Sequence, residues 1–207
     1  GTMGKEENKE MEFWTQEEFQ KFLECVADKP ISYYAFEMLY WTGIREGELL
    51  ALTPADFNFE KKTLRINKSY QRLEGKDVIT DPKTPKSNRT IVMPDFLAVE
   101  MEDFISSLYG IRDDDRIFTI SKSYLHHEMD RGAKLAGVKR IRIHGLRHSH
   151  ISLLINLGFS ALAIGERVGH EAVDITYHYA HLFPTVQTDM AAQLETEREA
   201  LVNVRKE

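Results

Sequence analysis

One short stretch of β-branched runs interrupts a chain that is otherwise patterned for helices, and this contrast limits the fold more than any other sequence feature. The runs lie at residues 63–66, 77–80 and 89–93 and are separated by polar turns. Short runs of this kind between turn residues are typical of strands. They therefore predict a small antiparallel sheet.

Helical signals lie on both sides of this stretch. Thr15, with Glu18 three residues later, has the pattern of a capping box, which predicts a helix that runs to about residue 27. The apolar residues 31–41 predict a buried helix that ends at Gly43, and Arg45 opens a short helix through residue 52. Further helices are predicted at residues 95–109, 122–136, 145–157 and 160–168, with a long one after Pro184. The predicted class is mostly α with a small antiparallel β-sheet (α+β).

The composition fits a folded, soluble domain. The chain has 207 residues, 42% of them hydrophobic and 29% charged, which is enough to bury a core without disulfides or metals. Cys25 is the only cysteine, so neither an internal disulfide nor a cysteine-based zinc site can form. No apolar run approaches the ~20 residues that cross a bilayer, and no signal peptide opens the chain. We therefore expect a cytoplasmic protein with no membrane partner.

The charge is distributed unevenly along the chain. The formal net charge of −6 would by itself argue against a nucleic-acid partner. However, residues 61–90 hold nine Lys and Arg against three Asp and Glu, and residues 131–150 hold six against none. An acidic body with two basic segments is predicted, so the net charge does not exclude binding to nucleic acid.

Four clusters of residues could carry chemistry, and each also fits an ordinary structural role. They lie at residues 42–52, 81–90, 141–150 and 168–182. An arginine after a helix break, such as Arg45, is most often a surface charge, and the second cluster fits a polar turn. The third cluster is harder to explain in this way, because burying three histidines and two arginines within nine residues is costly.

A zinc site is an alternative interpretation of the third cluster. His144 and His148 stand four residues apart, which is a spacing that can chelate zinc on a helix. No carboxylate lies between them to act as a base, and the adjacent arginines would repel a dication. We therefore predict no metal.

Taken together, the clusters resemble the catalytic domain of the tyrosine recombinases, or phage-type integrases. The similarity covers about residues 13–182, with Arg45 in Thr-Gly-Ile-Arg-x-x-Glu-Leu, His144-x-x-Arg147, Gly169-His170 and Tyr179 nine residues later. The resemblance implies the DNA breaking-rejoining enzyme fold and a site-specific DNA recombinase that cleaves and rejoins strands through a 3′-phosphotyrosyl intermediate. It implies no metal, ATP or other cofactor.

The resemblance also implies a role for each residue of the reacting centre. Tyr179 would be the nucleophile, in preference to Tyr177, because the family places its tyrosine directly before Ala/Ser-His-Leu. Arg45 and Arg147 would stabilise the charge on the phosphate, since planar guanidinium groups can each bind two of its oxygens.

Proton transfer would fall to other side chains. His144 would act as general base or proton relay toward the nucleophile, and His170 would donate a hydrogen bond to a phosphate oxygen. The leaving 5′ oxygen needs a proton from a lysine of the hairpin. Lys83 is the preferred residue because of its Lys-Thr context, and Lys86 is the alternative because counting back from Pro94 without a gap favours it.

Double-stranded DNA is the expected partner. The residues expected to contact it outside the reacting centre are Lys86, Arg89, Arg140 and Arg142. We expect a monomer in isolation and a homo-tetramer on DNA. Integration or excision of a phage or mobile element is the favoured role, with a Xer-type recombinase, a type IB topoisomerase or a non-catalytic DNA-binding regulator as alternatives.

The predicted organisation has three parts. Residues 1–12 are interpreted as a tag and charged lead-in, 13–184 as the catalytic domain, and 185–207 as a C-terminal helix that docks on its own domain or on a neighbouring protomer. The apolar seam of that helix is formed by Val186, Met190, Leu194, Leu201 and Val204, interrupted by Glu197. Family members usually carry a preceding core-binding domain, so we expect the chain to be a piece of a longer protein.

Overall fold

The computed structural model describes residues 11–82, 84–183 and 187–204, without the side chains of 187, 188, 197 and 199–204. The helices are α1 (Gln16–Val26), α2 (Pro30–Thr42), α3 (Glu46–Ala51), α4 (Asp95–Ser107), α5 (Lys122–Ala136), α6 (Ile143–Asn156), α7 (Ala161–Val168), α8 (Ala172–Tyr179) and α9 (Gln187–Val204). The strands are β1 (Phe57–Asn58), β2 (Thr63–Ile66), β3 (Ser69–Leu73), β4 (Lys76–Thr80) and β5 (Arg89–Val92). The predicted mostly helical class is confirmed.

Two parts of the predicted organisation lie outside these ranges. Residues 1–10 of the lead-in are not described, and neither is the boundary at 184–186, which includes Val186 of the predicted seam. The three-part division of the chain therefore stays a prediction.

The strands form two antiparallel sheets where one was predicted. The first sheet has the order β1-β2-β5, and the second is the hairpin of β3 and β4. Strand β3 was not predicted because Ser69, Gln71 and Arg72 give it no β-branched run. It forms because its partner is adjacent in the chain and pairs with it along its whole length, from Ser69 opposite Thr80 to Leu73 opposite Lys76.

The helix ends follow the predicted local chemistry. The Thr15 hydroxyl accepts from the Glu18 backbone N–H at 3.2 Å, and the Glu18 carboxylate accepts from the Thr15 backbone N–H at 2.9 Å, which completes the capping box. Gly43 ends α2 in the left-handed conformation, with φ of 66°, and its N–H donates to the Leu39 carbonyl at 3.1 Å. Helix α8 was not predicted, because it is rich in β-branched and aromatic residues.

Helix α6 lies between two hydrophobic clusters and is buried on several sides. Leu146 belongs to the larger cluster, which unites α1, α2, α4 and α5, whereas Ile151 and Ile155 belong to a smaller one with α7 and α8. Side chains on α6 are therefore held rigidly at the boundary between the two. None of the helices in the ranges given above is long and apolar enough to cross a membrane.

A buried glutamate on α2 lies near a half-buried glutamate on α4. Glu37 on α2 is 4% exposed, and its Oε2 has no hydrogen-bond partner among the described residues; the same holds for Oε2 of Glu100 on α4. Burial, reinforced by the charge of Glu100, raises the pKa of Glu37 from its ordinary 4.5 to about 7, although a hydrogen bond from Trp41 opposes the rise. The folded state thus holds this proton more tightly than the unfolded chain does.

We expect Glu37→Gln to make the protein more stable at high pH. Between pH 4.5 and about 7 the native protein keeps a proton that the unfolded chain releases, so its free energy of unfolding falls as pH rises. The amide removes this loss, and at pH 8 the variant should gain about 3 kcal/mol. Urea unfolding at pH 5 and pH 8 measures the difference. The exposed Glu102→Gln is the control, and an equal fall in stability from pH 5 to 8 in Glu37→Gln and wild type would contradict the prediction.

Candidate active site

Arg45 is fixed by the start of a helix and by one carboxylate. It occupies the N-cap position of α3, two residues after the left-handed turn at Gly43. The buried Glu48 accepts from the Arg45 backbone N–H at 2.8 Å and from its guanidinium Nη1 at 2.9 Å. One face of the guanidinium is thereby held, and the other remains open to solvent.

Glu48 binds a second arginine through both of its oxygens. Arg89 donates Nη1 and Nη2 to Glu48 at 3.0 and 2.9 Å, and its Nε donates to the Arg167 carbonyl at 2.9 Å. Burial alone would raise the pKa of Glu48, but the hydrogen bonds and charges of Arg89 and Arg45 outweigh it and hold that pKa below its ordinary value. The carboxylate therefore stays ionised between the two cations.

The structure places Arg89 inside the protein and not on the surface where a DNA contact was expected. The side chain was expected to contact DNA, but the residue is 9% exposed and its guanidinium is occupied by Glu48 and by main-chain carbonyls. Its placement is that of a residue that supports the site from inside, because its donors point into the protein.

Arg147 is buried near the start of α6 and joins two distant segments. It is 2% exposed, and its Nη1 and Nη2 each donate at 2.6 Å, to the carbonyls of Gly43 and Val168. Arg45 Nη2 reaches the next carbonyl of the same turn, that of Gly169, at 3.5 Å. The two arginines thus converge on one turn.

The charge of Arg147 is only partly compensated. Burial first, and then the like charge of Arg45, lower its pKa, and its Nε has no acceptor within the part of the chain described. A buried cation that bonds only to neutral carbonyls favours the arrival of an anion.

An open cleft of about 920 Å³ lies over this turn and brings together residues from four separate segments. Arg45, Lys86, His144 and His170 all line it. Lys86 forms an ion pair across the cleft with Glu171, the residue after His170. Lys83, the other candidate for the general acid, lies outside the described residues.

Both histidines of the cleft are held in the neutral form. Desolvation first, and then the positive charges of Arg147 and Arg45, lower the pKa of His144, and the same causes lower that of His170 to about 4. At neutral pH each ring therefore has one N–H donor and one acceptor nitrogen.

Tyr179 lies beside the cleft and is shielded from solvent. It is 3% exposed, packs in the smaller cluster, and its hydroxyl is hydrogen-bonded to Nδ1 of His148. Burial raises its pKa, while the positive charge of Arg147 acts in the opposite direction. Tyr177 is 81% exposed and points away from this cluster into solvent.

The remaining predicted residues lie on the surface. Arg140 is exposed and pairs with Asp130 at 2.7 Å, and Arg142 is exposed at the N-cap of α6. The rings of His144 and His148, considered above for zinc, are perpendicular, with centroids 4.8 Å apart. No group of three or more His, Cys, Asp or Glu that could hold a metal is found among residues 11–82, 84–183 and 187–204.

Two residues of this site were not selected from the sequence. Glu48 stands three residues after Arg45 and had a local signal, since that spacing at a helix start brings a carboxylate back to the N-cap. His148 had none, because its role depends on contact with a residue 31 positions away.

Comparisons with known proteins show the family to which the chain belongs. Residues 12–185 match the model of the phage integrase family. The chain is similar to the ICEBs1 integrase of Bacillus subtilis (strain 168), with 33% identity over 202 residues that cover 90% of this chain and 55% of the relative. A XerC-like tyrosine recombinase of Caldanaerobacter subterraneus is 26% identical, over 94% of this chain and 56% of the relative. The chain spans about half the length of the curated relatives it matches.

Solved structures show the same fold. The Tn1549 transposon integrase in complex with a circular intermediate DNA superposes with a TM-score of 0.74 and 22% identity, over 94% of this chain and 68% of the other. The catalytic domain of the bacteriophage HP1 integrase gives a TM-score of 0.62 and 20% identity, over 89% and 95% of the two chains. From the family match over most of its length, together with this fold, we conclude that the chain belongs to the phage integrase family.

Proposed function

We propose that the chain is the catalytic part of a site-specific DNA recombinase, which cleaves and rejoins strands through a 3′-phosphotyrosyl intermediate without metal or ATP. The observation that carries this proposal is the convergence of Arg45 and Arg147 on one turn, under a cleft lined by His144 and His170, with Tyr179 buried beside it.

The two arginines suit a phosphate whose charge grows in the transition state. Guanidinium groups keep their charge and bind pairs of oxygens, and Arg147 already has a buried N–H without an acceptor among the described residues. By analogy with oxyanion donors, losing one such contact costs about 3 kcal/mol or more of transition-state stabilisation.

The neutral imidazoles suit hydrogen bonding to the same phosphate. His170 follows directly on the turn that both arginines contact, so its N–H can donate to a phosphate oxygen bound there. His144 faces the cleft from the first turn of α6 and can relay a proton.

The leaving 5′ oxygen requires a proton, and Lys86 is the described lysine of the hairpin whose position supports this role. Its ammonium lines the cleft and is paired with Glu171, a partner that a DNA phosphate would replace. Lys83 remains the alternative donor, so the assignment between the two is a matter for experiment.

Integration or excision of a mobile element is the role that we favour. The ICEBs1 integrase and the integrase of the Tn1549 transposon are among the similar proteins. A Xer-type recombinase is the main alternative, since a XerC-like protein is also similar. A type IB topoisomerase shares the chemistry. A DNA-binding regulator without activity fits less well, because binding alone needs no buried tyrosine beside two converging arginines.

The proposed partner is duplex DNA, bound by a monomer that assembles into a tetramer. Arg140 and Arg142 are exposed cations that can contact the backbone beside the cleft. On α9 the apolar Met190 and Leu194 are 50% and 71% exposed. Exposure of these two residues of the predicted seam favours docking of α9 on a second copy.

The nucleophile can be identified by trapping. We expect a nicked suicide duplex that carries a candidate recombination site to become linked covalently to the chain through its 3′ phosphate, and Tyr179→Phe to abolish the adduct, because the attacking oxygen is missing. Denaturing gel electrophoresis detects the adduct. Tyr177→Phe is the matched control and should form it normally; survival of the adduct in Tyr179→Phe would reassign the nucleophile.

The proton donor can be identified with a substrate whose leaving group needs no proton. A sulfur at the 5′ bridging position leaves as a thiolate, so it should restore cleavage by Lys86→Ala if Lys86 is the general acid. Cleavage rates on the oxygen and sulfur substrates measure this, with Arg45→Ala as a variant that sulfur should not restore. If Lys86→Ala cleaves the ordinary substrate at the wild-type rate, Lys83 becomes the candidate.

The role of α9 can be measured by sedimentation with DNA. Removing residues 187–207 should leave single copies on the duplex, because the exposed apolar residues that would join neighbours are gone. The full chain should sediment as a larger complex under the same conditions. Unchanged assembly after the deletion would exclude docking of α9 on a second copy.

A further inference from the structure

His148 is the side chain that contacts the hydroxyl of Tyr179. Its Nδ1 and the phenolic oxygen are hydrogen-bonded, and the two ring centroids lie 5.8 Å apart. His144, for which the family resemblance implies a proton relay, is one step further away and touches the edge of the His148 ring. The ring nitrogen that contacts the phenolic oxygen in this arrangement is therefore that of His148.

The position of His148 ties this contact to the phosphate site. It follows Arg147 on α6, so the same helical turn carries a cation for the phosphate and an acceptor for the phenol. This turn is held from both sides, by the Arg147 hydrogen bonds to Gly43 and Val168. A phosphate bound beside Arg147 would approach Tyr179 while the phenol remains in contact with His148.

We propose that His148 is the general base of the reaction, an inference that rests on the proposed function. As Tyr179 Oη forms its bond to phosphorus, the Oη–H bond breaks and the proton passes to the lone pair of His148 Nδ1. The P–O5′ bond breaks and its electron pair leaves with O5′, which takes a proton from the lysine of the cleft. In rejoining, the imidazolium returns its proton to Oη.

The surroundings of His148 keep its ring in the neutral form. The titratable and charged groups that face it are His144 and Arg147 on its own helix and His178 and Tyr179 on α8. Burial first, and then His144, Arg147 and His178, lower the pKa of His148 to about 4, so the ring is neutral at neutral pH. In the tautomer that carries its proton on Nε2, the lone pair of Nδ1 faces the Tyr179 hydroxyl and accepts from it, and the proposed proton transfer uses this tautomer.

Two substitutions separate proton transfer from orientation. His148→Asn keeps a hydrogen-bond acceptor near the position of Nδ1 but cannot take up a proton, and His148→Ala removes both. Their single-turnover cleavage rates on a nicked suicide duplex, at saturating DNA, are compared with those of the wild type. The exposed His127→Asn is the matched control, and melting temperature with affinity for intact duplex checks that each variant folds and binds.

We expect both His148 variants to cleave about 100-fold more slowly or worse, with unchanged affinity for DNA. Their residual rate should rise between pH 6 and 8, since the phenolate must then form without a base, while the wild-type rate stays flat. His148→Asn cleaving at the wild-type rate, or His148→Ala cleaving faster than wild type, would overturn the assignment. An adduct formed by Tyr179→Phe in the same assay would instead overturn the proposed function.

Discussion

A guanidinium that is almost completely buried holds the cleft together. Arg147 joins the carbonyls of Gly43 and Val168, which belong to segments 104 and 21 residues away along the chain. Burying a cation is costly unless its donors are satisfied, so the two short hydrogen bonds fix both segments at the distance that the guanidinium sets. The positions of Arg45 and His170 follow from it, because each lies within two residues of a segment that Arg147 holds.

The local charge at the site is positive, whereas the net charge of the whole chain is negative. The chain has a formal net charge of −6, yet the pKa values of the histidines in the cleft are lowered in part by the two arginines nearby. Glu48 compensates the positive charges of Arg45 and Arg89. The side of the Arg45 guanidinium that faces away from Glu48 remains open. A potential of this kind favours an anion at one point over the acidic remainder of the surface.

The sequence predicted those parts of the structure that depend on neighbouring residues. The capping box at Thr15, the left-handed turn at Gly43 and the β-branched strand β2 each follow from local chemistry. Strand β3 and helix α8 were missed, because pairing with β4 and packing of Ile175 on α7 override weak local preference.

The same distinction applies to the site. Arg45, His144 and His170 were selected from the sequence because their short motifs are contiguous, and the structure brings them to one cleft. The inward placement of Arg89 was not predicted, because nothing in a basic hairpin sequence distinguishes an arginine that points inward. That distinction depends on Glu48, 41 residues earlier, which accepts both of its terminal nitrogens.

The turn at Gly43 couples two positions of the chain. A Cβ on residue 43 would lie 2.5 Å from the Cδ2 of His150, a ring that is itself 2% exposed and cannot retreat. Shrinking residue 150 would relieve that clash, yet the positive φ would still disfavour any side chain at 43. Replacing residues 43 and 150 together can therefore recover only part of the stability that is lost when Gly43 alone is replaced. We expect homologous sequences to keep this glycine while the neighbouring residues vary.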